Sequence, residues 1–186
     1  GHHLDFSFRQ GKNSVKYVGI KGNNDICKYL IKNIKVNYNS AVTGLKFNSN
    51  YWTITLNNKN KVFFKNLILT CPFPQLKKLA SRYMKKKIIN LKLNMSPNIT
   101  IMAIYKNCKK LPISSIKFNN KIISWAVQEN TKVRFKTNNI LWTIQCTEQF
   151  SKNIHLFKKN KNKYVSIVLK KFEDLTGYQT KNIVYK

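Results

Sequence analysis

Short apolar runs separated by turns rich in Asn, Gly and Lys form the main pattern along this 186-residue chain. In the first half, several of these runs alternate between apolar and polar positions, which is typical of short strands. The strands predicted there span residues 15–18, 34–38, 41–47, 51–56, 62–64 and 67–69. Apolar residues at helical spacing predict a helix from Asn23 or Asn24 to about Lys32. A second helix is predicted over residues 74–81, with Pro74 in its first turn.

The second half of the chain carries longer and more apolar runs. Strands are predicted at residues 99–105, 122–127, 140–146 and 183–185. Thr147 is a suitable N-cap for a following helical stretch, and Glu148 places a negative charge in its first turn. Residues 164–175 show helical spacing of apolar side chains and end at Gly177, a typical C-terminal stop. These elements predict a mixed antiparallel sheet covered by one helix.

Four stretches of the chain together resemble a known family. The resemblance depends on the order and spacing of the four stretches more than on the sequence of any single stretch. They are 17–24 (YVGIKGNN), 41–45 (AVTGL) with 51–54 (YWTI), 69–75 (LTCPFPQ), and 125–132 (WAVQENTK) with 142–147 (WTIQCT). In this order the chain resembles the flavin-dependent amine-oxidase superfamily, and within it the renalase-like NAD(P)/FAD-dependent oxidoreductases. The resemblance spans roughly residues 17–177.

The resemblance implies a fold of the α/β class with mixed α+β character. One part would be an incomplete FAD/NAD(P)-binding, Rossmann-like domain with a β-meander, over residues 1–75. The other would be a substrate domain over residues 76–180, built from a mixed antiparallel sheet and a covering helix. Residues 181–186 would begin a strand that returns to the first domain.

The same resemblance implies positions for the site. The backbone at Val42 would lie near the adenine end of FAD, and Thr70, Pro72 and Pro74 would lie along the cofactor. The residues that would face or support the substrate side are Trp125, Asn130, Lys132 and Trp142. The implied reaction is hydride transfer from a small amine or nicotinamide-type substrate to the flavin. A tryptophan on an apolar strand is more often a packing residue, and that alternative stays open for both tryptophans.

The phosphate-binding motif of a dinucleotide fold is missing from this sequence. Such a fold needs a strand, a GxGxxG turn and a helix N-terminus to hold the pyrophosphate. The chain has six glycines, and Gly19-x-x-Gly22 is too short to be that motif. We therefore expect the central and substrate portion of a larger protein, which binds FAD weakly or not at all without an N-terminal dinucleotide-binding part. Gln145 stands where the family often has histidine, and no catalytic residue is identified.

The net charge of +29, from 35 basic and 6 acidic residues, raises an alternative function. A basic surface attracts nucleic acid or another polyanion through counterion release. However, nearly all the positive charge is lysine, whereas base readout and bidentate phosphate binding favour arginine. The abundance of Lys and Asn is also what an AT-rich genome gives at unselected surface positions. We therefore expect nucleic acid to bind only non-specifically through charge; a non-catalytic remnant is the third interpretation.

The four cysteines lie far apart and form no CxxC pair, so neither a zinc site nor a redox dithiol is predicted. The sequence has no apolar run long enough for a transmembrane helix and no visible signal peptide. These features lead us to expect a cytoplasmic protein.

Overall fold

The computed structural model describes residues 17–185, which form two compact units. Leu30–Met95 form the first, called here the meander unit. Residues 17–29 and 96–185 form the second, called here the sheet–helix unit. A short helix, α1 (Asp25–Leu30), ends at the boundary where the chain passes from the sheet–helix unit into the meander unit.

The meander unit contains a three-stranded antiparallel sheet followed by helical turns. Its elements are β1 (Val42–Asn48), β2 (Tyr51–Leu56), β3 (Lys61–Phe64), α2 (Phe73–Ala80) and α3 (Lys86–Ile89). The strands lie in the order β1-β2-β3. Leu45 and Ile54 are opposite each other in the register and form a small buried core with Ala80 of α2.

Tyr83, which follows α2, connects the chain after this helix to strands β1 and β2. The Tyr83 hydroxyl accepts a hydrogen bond from the Phe47 backbone N–H at 3.0 Å and donates one to the Leu45 carbonyl at 3.3 Å. Its ring meets the Trp52 ring edge to face, with centroids 4.8 Å apart. Leu45, Phe47 and Trp52 therefore lie on the core face of this sheet.

The sheet–helix unit is built around a five-stranded antiparallel sheet. Its strands are β4 (Thr100–Tyr105), β5 (Ser115–Lys117), β6 (Ile123–Gln128), β7 (Ile140–Cys146) and β8 (Ile183–Tyr185), in the order β5-β6-β7-β4-β8. Its later helices are α4 (Glu148–Ser151), α5 (Ile154–Lys159) and α6 (Lys161–Thr176). The sheet is antiparallel throughout, because each strand pairs in the opposite direction with its neighbours.

Helix α6 covers one face of the five-stranded sheet. In β7 every second residue, from Ile140 to Cys146, is buried, as a strand with one covered face requires. Val168 and Phe172 of α6 are fully buried in the same core. Gly177 ends α6 in the left-handed conformation, with φ of 75°.

The predicted fold class is confirmed: the chain combines helices with two antiparallel sheets. The predicted N-cap also forms, because Thr147 Oγ1 accepts a hydrogen bond from the Phe150 N–H at 3.1 Å. The segments β5, α3 and α5 were not predicted; the first two are only three and four residues long.

Two predicted strands are wrong, at residues 34–38 and 67–69. Residues 34–38 alternate between apolar and polar side chains and residues 67–69 are all apolar, but within residues 17–185 neither segment pairs with another strand. Ile68 is 87% exposed, while Leu67 and Leu69 pack against the meander core. A pattern of apolar residues indicates which side chains of a segment are buried. A strand, however, also needs a neighbouring strand that supplies the hydrogen bonds of the sheet. Of the predicted strand at 15–18, residues 17 and 18 are not in a strand either, and residues 15 and 16 lie outside the described residues.

The units differ in extent from the predicted domains. The predicted boundary after residue 75 falls inside the meander unit, within α2, whose Leu76, Leu79 and Ala80 pack against its sheet. The second predicted boundary, after residue 180, falls inside the sheet–helix unit, just before β8. The functional division over 1–75, 76–180 and 181–186 stays a prediction.

Tyr105 is the basis of a first testable prediction. Its side chain is fully buried, and its hydroxyl has no hydrogen-bond partner among the described residues. Burial raises its pKa above the ordinary value, so the hydroxyl stays neutral at physiological pH. Because a buried unpaired hydroxyl costs about 1–3 kcal/mol, we expect Tyr105→Phe to raise the free energy of unfolding by about 1 kcal/mol in urea denaturation.

Tyr178→Phe is the matched control for this substitution. The Tyr178 ring stacks on the Tyr105 ring with centroids 5.1 Å apart, but its hydroxyl donates to the Lys109 carbonyl at 2.7 Å. Removing that hydroxyl is expected to lower the free energy of unfolding by about 1 kcal/mol. A loss of stability in Tyr105→Phe as large as that in Tyr178→Phe would contradict the prediction.

Candidate functional site

The face of the five-stranded sheet away from α6 carries a mixture of polar and large apolar side chains. The register places Trp125, Gln145 and Thr100 in one row across β6, β7 and β4, and Val127, Thr143 and Met102 in the next row. We call this side the polar face and define it by Thr100, Met102, Trp125, Thr143 and Gln145. Met102 is 71% exposed in β4, whereas the residues on the other side of that strand are buried. The polar face therefore offers a surface on which a flat molecule could lie.

A charged cluster stands at the end of this face, where β6 runs into a 3-10 turn (Glu129–Thr131). Glu129 Oε1 accepts a hydrogen bond from Thr143 Oγ1 at 2.9 Å, and Glu129 Oε2 lies 2.5 Å from Lys132 Nζ. Arg134 Nη2 lies 3.9 Å from the same carboxylate oxygen. The three charged side chains are only 12–18% exposed. One carboxylate thus fixes two cations, and the cluster keeps a net positive charge.

Arg134 also connects the cluster to the first described residues of the chain. Its Nη1 donates to the Gly19 carbonyl at 3.1 Å, and its Nη2 donates to Asn23 Oδ1 at 2.8 Å. The guanidinium carbon lies 5.1 Å from the centroid of the Phe135 ring, a cation–π arrangement. The planar, forked guanidinium is suited to several bonds of this kind at once. The position of Arg134 is therefore fixed on several sides.

The glycine turn that Arg134 contacts is closed on itself by an aspartate. Asp25 Oδ2 accepts hydrogen bonds from the N–H of Lys21 at 2.6 Å and of Gly22 at 3.2 Å. These two hydrogen bonds, of which the one from Lys21 has the larger effect, hold the pKa of Asp25 below its usual value. They weaken when the carboxylate is protonated, as the pH falls through that lowered pKa. A Cβ on Gly19 would lie 2.0 Å from the Gly22 carbonyl oxygen, so only glycine fits there.

This geometry tests whether the turn fits the pyrophosphate of FAD. A phosphate-binding turn needs free backbone N–H groups that point at the anion. Here the N–H groups of Lys21 and Gly22 already bind the Asp25 carboxylate. The Gly19–Gly22 turn therefore does not fit a dinucleotide phosphate, in agreement with the missing GxGxxG motif.

The residues predicted to lie along the cofactor are all in the meander unit. Val42 begins β1 and is 38% exposed. Thr70 is exposed, Pro72 directly precedes α2, and Pro74 lies in its first turn. No side chain caps α2. A contact between these residues and FAD stays a prediction.

The predicted substrate-side residues lie in different environments. Trp125 is half-buried on the polar face, and Lys132 belongs to the charged cluster. Asn130 bonds to backbone: its Nδ2 donates to the Asn139 carbonyl at 2.7 Å, and its Oδ1 accepts from the Leu141 N–H at 2.6 Å. Trp142 is fully buried on the opposite face, packed on Phe172 of α6 with ring centroids 5.2 Å apart. The structure thus brings Trp125 and Lys132 to one side of the sheet and places Trp142 on the other.

Glu129, Arg134 and Thr143 were not predicted as site residues. Two signals in the sequence point to them in retrospect. Glu129 is three residues before Lys132, a spacing that brings side chains together in a helical turn. Arg134 is one of three arginines in a chain with 35 basic residues. Thr143 gives no such signal, because its role depends on the register of β7.

Among residues 17–185, no group of three or more His, Cys, Asp or Glu side chains is placed to share a metal ion. In the same part of the chain, every helix is too short or too polar to cross a bilayer.

No protein-family model and no curated protein matches this chain. A solved structure described as "Putative protoporphyrinogen oxidase from Exiguobacterium sp. 255-15" is similar in fold, with a TM-score of 0.64 and 13% sequence identity. The match covers 88% of this chain but only 38% of that protein. At this identity the similarity shows a shared fold, and this chain spans well under half the length of its structural neighbour.

Proposed function

We propose that this chain is the substrate-side portion of a flavin-dependent oxidoreductase of the amine-oxidase and renalase-like type. The observation that carries the proposal is the charged cluster at the end of the polar face, with Trp125 on the same side of the sheet. The fold shared with a protein described as a protoporphyrinogen oxidase supports it. Because the chain spans 38% of that protein, other parts of such an enzyme would lie outside the match.

The chemistry proposed for this site is hydride transfer from a small amine or nicotinamide-type substrate to FAD. The flavin would supply the redox chemistry, and the protein would supply position and electrostatics. Lys132 and Arg134 would attract a negative or electron-rich group, and Glu129 and Thr143 would hold these cations in place. Trp125 would form an apolar wall for a flat ring. The Gly19–Gly22 turn does not fit the FAD phosphates, because Asp25 already binds its backbone N–H groups, so we expect a weak hold on the whole cofactor.

The first experiment uses riboflavin, which carries the flavin ring without phosphates. If the ring lies against the polar face, riboflavin should quench the fluorescence of Trp125 in a saturable way. We expect wild-type protein and Trp52→Phe to show this quenching, and Trp125→Phe to show clearly less of it, since only the more distant Trp142 then emits from the same sheet. Trp52 is the matched control because it belongs to the meander unit. Free N-acetyltryptophanamide at the same riboflavin concentrations corrects for light absorbed by the ligand.

Two results would contradict the proposal: quenching that does not saturate, and saturable quenching that is equal in wild type and Trp125→Phe. A second measurement addresses the phosphates. After incubation with FAD and desalting at moderate salt, we expect the protein to lose the flavin absorbance band. Retention of the band would show that residues of this chain hold the whole cofactor, contrary to the closed glycine turn.

A further inference from the structure

The three-stranded sheet of the meander unit has a second face that its core does not use. Leu45, Trp52 and Val62 pack on the core side. Because side chains alternate along a strand, Lys46, Tyr51 and Phe63 lie on the other side, which we call the outer face. The register agrees, since Lys46 is opposite Thr53 and Thr53 is opposite Phe63.

Two aromatic side chains stand exposed on this outer face. Tyr51 is 42% exposed and Phe63 is 60% exposed, although the sequence pattern alone would assign such residues to a core. Their rings meet edge to face at 76°, with centroids 5.7 Å apart. In an edge-to-face pair, one ring contacts its partner only through its edge, so the partner covers neither face of that ring. The outer face therefore presents an aromatic surface for stacking.

The charge around this pair has one sign. The meander unit, Leu30–Met95, contains thirteen basic residues and no acidic residue; all six acids of the chain lie outside it. Lys46 and Lys61 are exposed on the outer face itself. In the strand register Lys46 is opposite Thr53, and Lys61 is opposite Thr55. A random spread of acids would place some of them here. The electrostatic complement of this surface is a polyanion.

We propose that the outer face of the meander sheet binds single-stranded nucleic acid, with bases stacked on Tyr51 and Phe63 and phosphates near Lys46 and Lys61. Exposed bases stack on aromatic side chains, whereas a duplex hides their faces. Stacking tolerates any base, and lysine acts as a point charge rather than a reader of base edges. Binding would therefore favour single strands over duplex and show little sequence preference. This site is separate from the flavin-related polar face, which belongs to the other unit.

The test measures binding of the full chain to a fluorescent oligodeoxythymidylate of about 12 nucleotides, a typical single-strand site size. Anisotropy titrations at several salt concentrations compare wild type with Tyr51→Ala/Phe63→Ala. Stacking of two bases should make the double variant bind at least about tenfold more weakly. Lys46→Gln/Lys61→Gln should reduce the slope of log affinity against log salt by about 1.4, from two lost phosphate contacts.

Phe64→Ala is the matched control, because Phe64 is also half exposed and lies on the same strand but faces the core side, opposite Trp52. We expect it to bind like wild type, and thermal melting followed by circular dichroism shows whether each variant is folded. A duplex of equal length should bind the wild-type protein more weakly than the single strand. The proposal is overturned if the folded double variant binds within about twofold of wild type, a change too small for lost stacking. It is also overturned if Phe64→Ala loses as much affinity, or if duplex and single strand bind equally, the result for bulk charge alone.

Discussion

Phe172→Ala is expected to lower the free energy of unfolding by about 3–5 kcal/mol, the usual cost of removing a buried aromatic ring. Phe172 is fully buried in α6. Its ring centroid lies 5.2 Å from that of Trp142, and Tyr105, Tyr178 and Phe118 lie within 6.3 Å. Alanine would leave a cavity between helix and sheet that four rings cannot fill without moving. Urea denaturation followed by far-UV circular dichroism and tryptophan emission gives the loss.

Phe63→Ala provides the comparison for this prediction. Phe63 is 60% exposed in the meander unit, so its removal should change the stability of the sheet–helix unit by less than about 0.5 kcal/mol. Phe172→Leu keeps much of the volume and should cost less than the alanine variant. Moderate salt is needed in all measurements, because a net charge of +29 makes the folded chain repel itself. A loss below about 1 kcal/mol for Phe172→Ala would show that α6 does not hold the core as described.

Gln128→Leu is the second substitution with a large expected effect, about 2–3 kcal/mol of lost stability. The Gln128 side chain is fully buried at the end of β6. Its Oε1 accepts from the Leu111 N–H at 3.1 Å, and its Nε2 donates to the carbonyls of Leu111 and Ile113 at 3.1 and 3.3 Å. Leucine has a similar size but would leave three backbone groups without these partners.

Hydrogen exchange separates this mechanism from a general loss of packing. The Leu111 amide should exchange slowly in wild type and much faster in Gln128→Leu, well before global unfolding. Gln145→Leu serves as the control, because Gln145 is half-buried on the polar face, and we expect it to cost less than about 1 kcal/mol. Unchanged protection of Leu111 in Gln128→Leu would mean that the loop at 111–113 is held by other contacts.

The helices and strands that could be predicted from the sequence are those in which burial on one side produces a regular spacing of apolar residues. Helix α6 is an example: apolar residues at helical spacing face the sheet, and Gly177 marks its end. Strand β7 is another, since its buried residues strictly alternate. Residues 67–69 show the limit of this approach. Their apolar pattern is that of a buried strand, but strand formation depends on a neighbour that the pattern cannot name.

The site was partly predictable for the same reason. Lys132 and Trp125 lie in one stretch of sequence, and both are on the side of the polar face. The resemblance also implies a substrate-side position for Trp142. The structure places Trp142 on the covered face, because alternate residues of a strand point to opposite faces. The contact between Arg134 and Gly19 joins residues 115 positions apart. No local pattern encodes such a contact.

This long-range contact has a consequence for how the chain can vary. The sheet–helix unit is discontinuous in sequence: residues 17–29 belong to it, the meander unit follows, and the strands of its sheet all come after residue 96. Bringing Gly19 to Arg134 therefore closes a loop that contains an entire folded unit. Because the entropy of loop closure grows only with the logarithm of length, doubling the intervening chain would cost about 0.6 kcal/mol. We therefore expect the sheet–helix unit to tolerate insertions and deletions in the turns of the meander unit.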